Sequence, residues 1–187
     1  MSIFFSSVAF TSFLSNFVIW CFLMATLLNF VKMSGWQFQN VDKDRFKEPL
    51  LLSAIMFLSY FLGSVIDYFL NLKEFISYFH PNSYYFLLDI LTAFFIYKAV
   101  KVSSKQGLIC KLYLLCGLLF NALLFLIIQI EVFLIYEGFK PYEHWWLWYV
   151  FSIGINTFDA MMVLVLILQK DFLKLHFLIN KALNCSE

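Results

Sequence analysis

Five long runs of apolar residues alternate with short polar connectors along the chain. The runs cover residues 3–31, 50–72, 84–100, 112–136 and 146–169. An α-helix rises about 1.5 Å per residue, so about 20 apolar residues suffice to cross about 30 Å of hydrocarbon. The run at 84–100 is the shortest, which leaves four spans as the alternative. The pattern predicts an all-α integral membrane protein, a bundle of about five transmembrane helices.

The basic residues give this bundle an orientation. Connector 32–49 contains four of them and connector 101–111 contains three, whereas connectors 73–83 and 137–145 contain one each. Cytoplasmic loops carry an excess of Lys and Arg. We therefore expect the N-terminus outside and the C-terminus in the cytoplasm. The end of the chain, residues 170–187, mixes Lys with bulky apolar residues and is predicted to be a short cytoplasmic tail at the membrane interface.

Composition supports the same class of protein. Of the 187 residues, 63% are hydrophobic and 13% are charged, against roughly half and roughly a quarter in a soluble globular domain. Lipid must therefore be part of the solvent, and residues 1–187 form a single polytopic domain without a linker. The net charge of +1 offers no basic surface for nucleic acid. The expected location is the plasma membrane, specifically a bacterial inner membrane.

Two further residue classes limit the chemistry. Four aromatic residues stand where the fifth run meets the outer headgroups, the depth at which Trp and Tyr are enriched. They are Trp145, Trp146, Trp148 and Tyr149. The four cysteines form no C-x-x-C pair, and the three histidines fall in connectors or the tail, where they suit neither a haem nor a spaced metal motif. Neither a cofactor nor a metal is expected.

The second run has a narrow stripe of small and polar residues. Ser59, Gly63, Asp67 and Asn71 recur every four positions and so share one helix face. Small residues at this spacing allow close approach between helix backbones. The stripe is predicted to be a helix-packing face.

Polar residues inside the runs are the candidates for chemistry, because each costs free energy in lipid unless it faces protein, water or a ligand. The candidates for binding an ion or a proton are Asp159, Asp67, Asp89, Asn156, Asn121 and Glu131. No Lys or Arg lies deep in any run. The acids among these residues must therefore be protonated, hydrated or bound to a cation.

Depth divides the candidates into two groups. Asn121, Asn156 and Asp159 fall near the middle of the membrane, where escape to water is hardest. The other three acids fall about five residues from the outer ends of their runs, so a purely structural role in contact with outer water is an equal alternative for them. Asp67 and Asp89, on adjacent antiparallel helices, are expected to approach each other.

Function is less determined than fold. The chain has no nucleophile motif, phosphate loop or extramembrane catalytic domain, so no enzyme activity is expected and an intramembrane enzyme is the last choice. The first expectation is a protein that acts through contacts with a membrane protein partner or a second copy, as a sensor, an immunity or defence factor, or an accessory subunit. The alternative is a proton- or cation-linked transporter or channel-like protein that uses the buried carboxyl groups.

Overall fold

The computed structural model describes residues 2–35, 44–72, 81–137 and 146–176. All regular structure in these ranges is helical. The helices are α1 (Ser2–Gly35), α2 (Asp44–Leu72), α3 (Pro81–Ala99), α4 (Lys105–Glu137) and α5 (Trp146–Leu168). The predicted all-helical architecture is confirmed.

Four of the helices contain a segment long and apolar enough to cross a membrane. These segments are Asn16–Ser34, Arg45–Phe69, Lys105–Glu131 and Tyr149–Leu168. The remaining helix, α3, has 19 residues and contains Asp89 and Lys98. The chain therefore has the helices of a multi-pass membrane protein.

Two helices begin earlier than the apolar runs predict. Helix α2 begins at Asp44 rather than near residue 50, and α4 begins at Lys105 rather than near residue 112. Hydropathy overlooks such turns because their residues are polar, although Lys, Arg, Gln and Glu are good helix formers. Ser104 caps α4, since its Oγ accepts a hydrogen bond from Gly107 N at 3.0 Å. The connector between α3 and α4 consequently shortens to residues 100–104.

The helices pack mainly against their neighbours in sequence. The most extensive contacts join α3 with α4, α1 with α2, and α4 with α5, while α2 also touches α3, α4 and α5. Helix α1 closes the bundle by packing against α5. Each of the five helices therefore has one face that packs against other helices of the bundle.

After α5, residues 169–176 turn back against α4. Gln169 has a positive φ of 53°, the left-handed conformation that often ends a helix. The hydroxyl of Tyr113 donates to Asp171 Oδ1 at 2.6 Å and accepts from Leu173 N at 2.8 Å. The first part of the predicted tail therefore packs on the bundle, and residues 177–187 lie outside the described ranges.

The buried apolar side chains are concentrated at one end of the bundle. One cluster contains Phe22, Ala25, Leu52, Met56, Ala93, Ile96, Val100, Ile109, Cys110, Tyr113, Leu114, Leu118, Met162, Val165 and Leu166. Among the described residues, Pro49, Ala122 and Ile128 are the other buried apolar side chains. The cluster lies between the level of Tyr60 and loop 100–104. We call this part of the molecule the sealed half, and the part beyond Tyr60, which contains the C-terminal ends of α2 and α4, the open half.

Candidate ion-binding site

Three helices meet at the side chain of Asp159, which is 4% exposed. Asp159 Oδ1 accepts a hydrogen bond from the Tyr60 hydroxyl at 2.5 Å and another from Asn121 Nδ2 at 2.7 Å. Asn121 Nδ2 also lies 3.4 Å from the Tyr60 hydroxyl oxygen. Helices α2, α4 and α5 thus each contribute one side chain to a small polar centre.

The helix periodicity explains why these side chains face inward. Asp159 lies three residues before the fully buried Met162, and Asn121 lies three residues after the fully buried Leu118. Residues three or four apart share a helix face. Each polar residue therefore extends an apolar stripe that packs in the sealed half. The Phe22 ring of α1 covers the centre, with its centroid 4.7 Å from that of Tyr60.

Asp89 adds a second carboxyl group to the centre from α3. It is 8% exposed and lies near enough to Asp159 and Tyr60 for its charge to affect them, but no described hydrogen bond joins it to either residue. One turn along α3, Thr92 Oγ1 lies 2.6 Å from Ser59 Oγ of α2, which fixes this pair of helices beside the centre. All four helices from α2 to α5 therefore converge on the site.

Two buried acceptor atoms at the centre have no hydrogen-bond partner among the described residues. They are Asp89 Oδ2 and Asn121 Oδ1. A buried acceptor without a partner costs about 1–3 kcal/mol, and more when it belongs to a charged group. Native proteins rarely retain such atoms without a reason. Both atoms are therefore available to accept a hydrogen bond or to bind a cation.

The donor set restricts what could complete it. The centre offers carboxylate, amide and hydroxyl oxygens, which suit a proton or a hard cation. Within the described ranges, no three His, Cys, Asp or Glu side chains are grouped to hold a metal ion. The arrangement therefore favours a proton or a single monovalent cation over a transition metal.

Asp67 and Asp89 have different partners, although the sequence suggests that they approach each other. Asp67 Oδ1 accepts a hydrogen bond from the Tyr84 hydroxyl at 2.6 Å, near the end of the open half. Asp89 lies five residues further along α3 than Tyr84, and Thr92, about one turn beyond Asp89, hydrogen-bonds to Ser59 next to Tyr60. Asp67 is thus paired near the helix ends, while Asp89 joins the buried centre.

The predicted packing stripe on α2 faces α3 within the same chain. Ser59 contacts Thr92, and a Cβ added at Gly63 would lie 3.3 Å from Tyr85 Cε1. The Asp67–Tyr84 hydrogen bond continues this seam toward the open end. The side chain of Asn71 lies outside the described residues. Over its described residues, this face therefore packs between two helices of the same chain.

Asn156 and Glu131 lie apart from the centre. Asn156 Nδ2 donates to the Ser152 carbonyl of its own helix at 2.7 Å, and the side chain lines an outward-facing groove. Glu131, on α4 in the open half, is buried, and neither of its carboxylate oxygens has a hydrogen-bond partner among the described residues. No described contact connects either residue to Asp159.

The predicted aromatic belt falls partly within the described residues. Trp146 and Tyr149, in the first turn of α5, are 58% and 68% exposed. Exposed rings at the end of a spanning helix fit the membrane interface. Trp145 and the side chain of Trp148 lie outside the described residues.

Sequence reasoning missed Tyr60, which the second apolar run hides among its aromatic residues. A buried tyrosine hydroxyl needs a hydrogen-bond partner. This requirement could have pointed to Tyr60 in the sequence. However, only the packing of α2 against α5 distinguishes Tyr60 from the other aromatic residues of the run. The structure makes it a direct partner of Asp159.

Sequence reasoning also missed Glu48, placed in a connector by the apolar runs. Glu48 is 8% exposed, and its carboxylate accepts hydrogen bonds from Ser103 N at 2.7 Å and from Ser104 N at 3.0 Å. The Ser104 hydroxyl also hydrogen-bonds to this carboxylate. These donors belong to the N-terminus of α4, where the helix dipole favours an anion. Glu48 is therefore a buried acid with a complete set of partners.

A third polar group fastens α1 to the end of α5. Asn29 Nδ2 donates to the Leu166 carbonyl at 3.2 Å, and Asn29 Oδ1 accepts from Gln169 Nε2 at 2.9 Å. Beside it, Lys32 Nζ donates to the Ile167 carbonyl at 2.7 Å. These bonds satisfy carbonyl groups at the C-terminus of α5. The polar side chains Asn29, Lys32 and Glu48 of the sealed half thus form hydrogen bonds with backbone groups at helix termini.

The fold and the site define a class, a multi-pass helical membrane protein with a buried acidic centre. No protein-family model, curated protein or solved structure matches this chain. The geometry of the polar centre is therefore the basis for assigning a function to this protein.

Proposed function

We propose that this protein is a proton- or monovalent-cation-linked membrane transporter or channel-like protein, and that the centre formed by Tyr60, Asp89, Asn121 and Asp159 binds the ion. The observation that carries this proposal is the presence of two buried acids, Asp89 and Asp159. One of them has an unpartnered oxygen, and neither has a basic side chain in hydrogen-bond contact among the residues that the structure describes. Two uncompensated charges inside a bilayer are expensive, so a bound proton or cation is the simplest way to retain both.

A packing role for these acids explains less of the geometry. A structural carboxylate in this protein has the surroundings of Glu48, with backbone and hydroxyl donors on its oxygens. Asp159 has two donors on one oxygen, and Asp89 Oδ2 has none among the described residues. A side chain that served only to pack would tolerate an apolar residue in place of Asp89. The unpartnered oxygen of Asp89 is therefore better explained by a bound ligand than by packing.

The proposal includes five spans, with the N-terminus outside and the C-terminus in the cytoplasm of a bacterial inner membrane. Helix α3 has 19 residues and is therefore about 28 Å long, close to the hydrocarbon thickness. It brings Asp89 to the depth of Asp159, which supports its role as a span. Reporter fusions in loop 100–104 should be cytoplasmic, and an external reporter there would contradict this topology.

Ion flux into liposomes tests the proposed function. Purified protein should support uptake driven by a proton or sodium gradient, and Asp159→Asn should reduce it by about ten-fold or more because the isostere cannot carry the exchangeable charge. Asp171→Asn is the matched control, since it makes the same change in the tail and should leave flux intact. Flux that is absent in the unaltered protein, or unaffected by Asp159→Asn, would contradict the proposal.

The exposed side of α5 favours a second candidate function, contact with another membrane protein or a second copy in a sensor, a defence factor or an accessory subunit. A groove of about 830 Å³ on this side is lined by Ser152, Asn156 and Thr157 together with apolar side chains. Polar groups on the outside of a spanning helix commonly mark helix–helix contacts. Ala160→Trp, which would fill the groove, should lower the native mass of the extracted complex. If the unaltered protein already has the mass of a monomer, and Ala160→Trp leaves that mass unchanged, this candidate function is excluded.

A further inference from the structure

We infer that the ion-binding centre exchanges its ligand only with the open half, because the sealed half forms a dry apolar plug directly beneath it. The inference rests on the proposed function and adds the direction of access to it. Three observations support it, namely the packing on each side of the centre, the state of the polar groups in each half, and the fastening of the helix ends.

A layer of apolar side chains from all five helices lies one turn from the centre on the sealed side. Phe22, Met56, Leu118 and Met162 are each 0% exposed, and Ala93 of α3 is 6% exposed. A Cβ added at the neighbouring Gly117 would lie 2.6 Å from Met162 Sδ, which shows how closely α4 and α5 approach there. Packed interiors of this kind hold few voids large enough for water.

The corresponding level on the open side is packed less completely. Gly63 of α2 is buried against Tyr85, which stacks on Phe125, but Tyr85, Phe125 and Ile155 are all partly exposed. In the described part of the open half, the buried apolar side chains are Ala122, next to Asn121 on α4, and Ile128 further along the same helix. Access to Asp159 therefore meets fewer packed side chains from this direction.

Polar groups also differ between the halves. In the open half, Gln129 Oε1 and both carboxylate oxygens of Glu131 are buried without a hydrogen-bond partner among the described residues. Such atoms are commonly satisfied by water. In the sealed half, the carboxylate of Glu48 and the amide of Asn29 are occupied by backbone and side-chain partners. Hydration is thus favoured on the open side alone.

Among the described residues, the groups that face the centre from each packed helix include no cation that could replace the ligand. They are the Phe22 ring of α1, the Tyr60 hydroxyl of α2, the Asp89 carboxyl of α3, the Asn121 amide of α4 and the Asp159 carboxyl of α5. In the sealed half, Lys32 Nζ donates to the Ile167 carbonyl and Lys111 Nζ to the Val100 carbonyl, both at the C-terminal ends of helices. The ligand must therefore arrive from outside the plug.

Paired cysteine substitutions test the direction of access. Ile155→Cys and Val163→Cys lie four residues on either side of Asp159 on α5, so they sample the open and sealed sides at equal distance. Both would be made in a background without the native thiols of Cys21, Cys110, Cys116 and Cys185. The probe is trimethylammonium-ethyl methanethiosulfonate, a permanently charged thiol reagent that requires water to reach the thiolate.

Ile155→Cys should react from one face of the membrane. Val163→Cys should react from neither face, with a rate lower by about ten-fold or more, because Val163, although also partly exposed, packs against the buried apolar cluster and that cluster excludes water. Equal reactivity of the two thiols, faster reaction of Val163→Cys, or no reaction of Ile155→Cys would overturn the inference. A second pair around Asp89, Tyr85→Cys and Ala93→Cys, applies the same test on α3 if an α5 variant fails to fold.

The flux assay separates the two proposals. If flux depends on Asp159 but Val163→Cys reacts with the reagent, the proposed ion-binding function stands and one-sided access is wrong. The expected labelling pattern without any Asp159-dependent flux would retain a one-sided water cavity and overturn the function that it was inferred to serve.

Discussion

Glu48 in the sealed half and Asp89 at the polar centre are both 8% exposed, yet their carboxylates have opposite surroundings. Glu48 accepts hydrogen bonds from Ser103 and Ser104 at the start of α4. Asp89 Oδ2 has no hydrogen-bond partner among the described residues. Burial alone therefore does not reveal the role of an acid in this bundle. The partners of its oxygens do.

The same contrast extends to the two halves of the molecule. In the sealed half, apolar side chains fill the interior and polar groups complete helix ends. In the open half, aromatic rings are partly exposed and several buried polar atoms lack partners within the described residues. We expect stability to reside mainly in the sealed half and ion exchange in the open half, and matched substitutions can test this division.

The largest difference should come from two glycines. A Cβ at Gly107 would lie 2.2 Å from Glu48 Oε2 and 2.6 Å from Val102 Cγ1, whereas the nearest atom to a Cβ at Gly63 would be 3.3 Å away. Gly107→Ala should lower the free energy of unfolding by about 2–4 kcal/mol through overpacking. Gly63→Ala should change it by less than about 1 kcal/mol, because alanine also favours the helix. Denaturant titration in mixed micelles measures both, and a larger loss for Gly63→Ala would reverse the comparison.

The two buried acids should differ next. Glu48→Gln removes the charge that holds the start of α4 and should cost about 1.5–3 kcal/mol, the range for hydrogen bonds to charged groups. Asp89→Asn keeps the shape of the side chain and removes an acid without a charged partner. The free energy of unfolding should therefore change by less than about 0.5 kcal/mol. The same titration measures both variants. If Asp89→Asn were the more damaging change, Asp89 would have to be structural.

The smallest difference should come from two tyrosine hydroxyls. The Tyr113 hydroxyl binds both Asp171 and Leu173 N in the sealed half, whereas Tyr84 is bound to Asp67 in the open half. Tyr113→Phe should cost about 1–2 kcal/mol, and Tyr84→Phe about 0.5–1 kcal/mol. Protease sensitivity of the tail offers a second readout, since only Tyr113→Phe should increase it. Equal tail cleavage in the two variants would contradict the proposed attachment of residues 169–176.

Apolar run length predicts the helices of this protein because lipid imposes one dominant constraint on every span. Run length misplaces the starts of α2 and α4. These helices begin with polar turns at Asp44 and Lys105, which the run lengths assign to connectors. Those turns form through specific contacts, such as Glu48 with Ser104, that depend on a partner 56 residues away. Hydropathy contains no information about such contacts.

The candidate site was predictable in part. Asp159 and Asn121 follow from depth alone, because a polar side chain at the middle of an apolar run has few ways to reach water. Tyr60 and the position of Asp89 near the centre were not predictable, since they depend on the rotation of α2 and α3 about their axes. That rotation is set by packing, such as Gly63 against Tyr85. Asn156 shows the reverse error, since it is deep in the run but turns outward.

Carbodiimide modification tests the central claim most directly. A hydrophobic carbodiimide adds to a protonated carboxyl group in apolar surroundings and leaves a mass label that peptide mapping can assign. The account predicts labelling of Asp89 or Asp159, protection by the transported cation if that ion is not the proton itself, and no labelling of Glu48, whose charge is held by the N-terminus of α4. Labelling of Glu48 to the same extent, or the absence of label from both aspartates, would contradict the account.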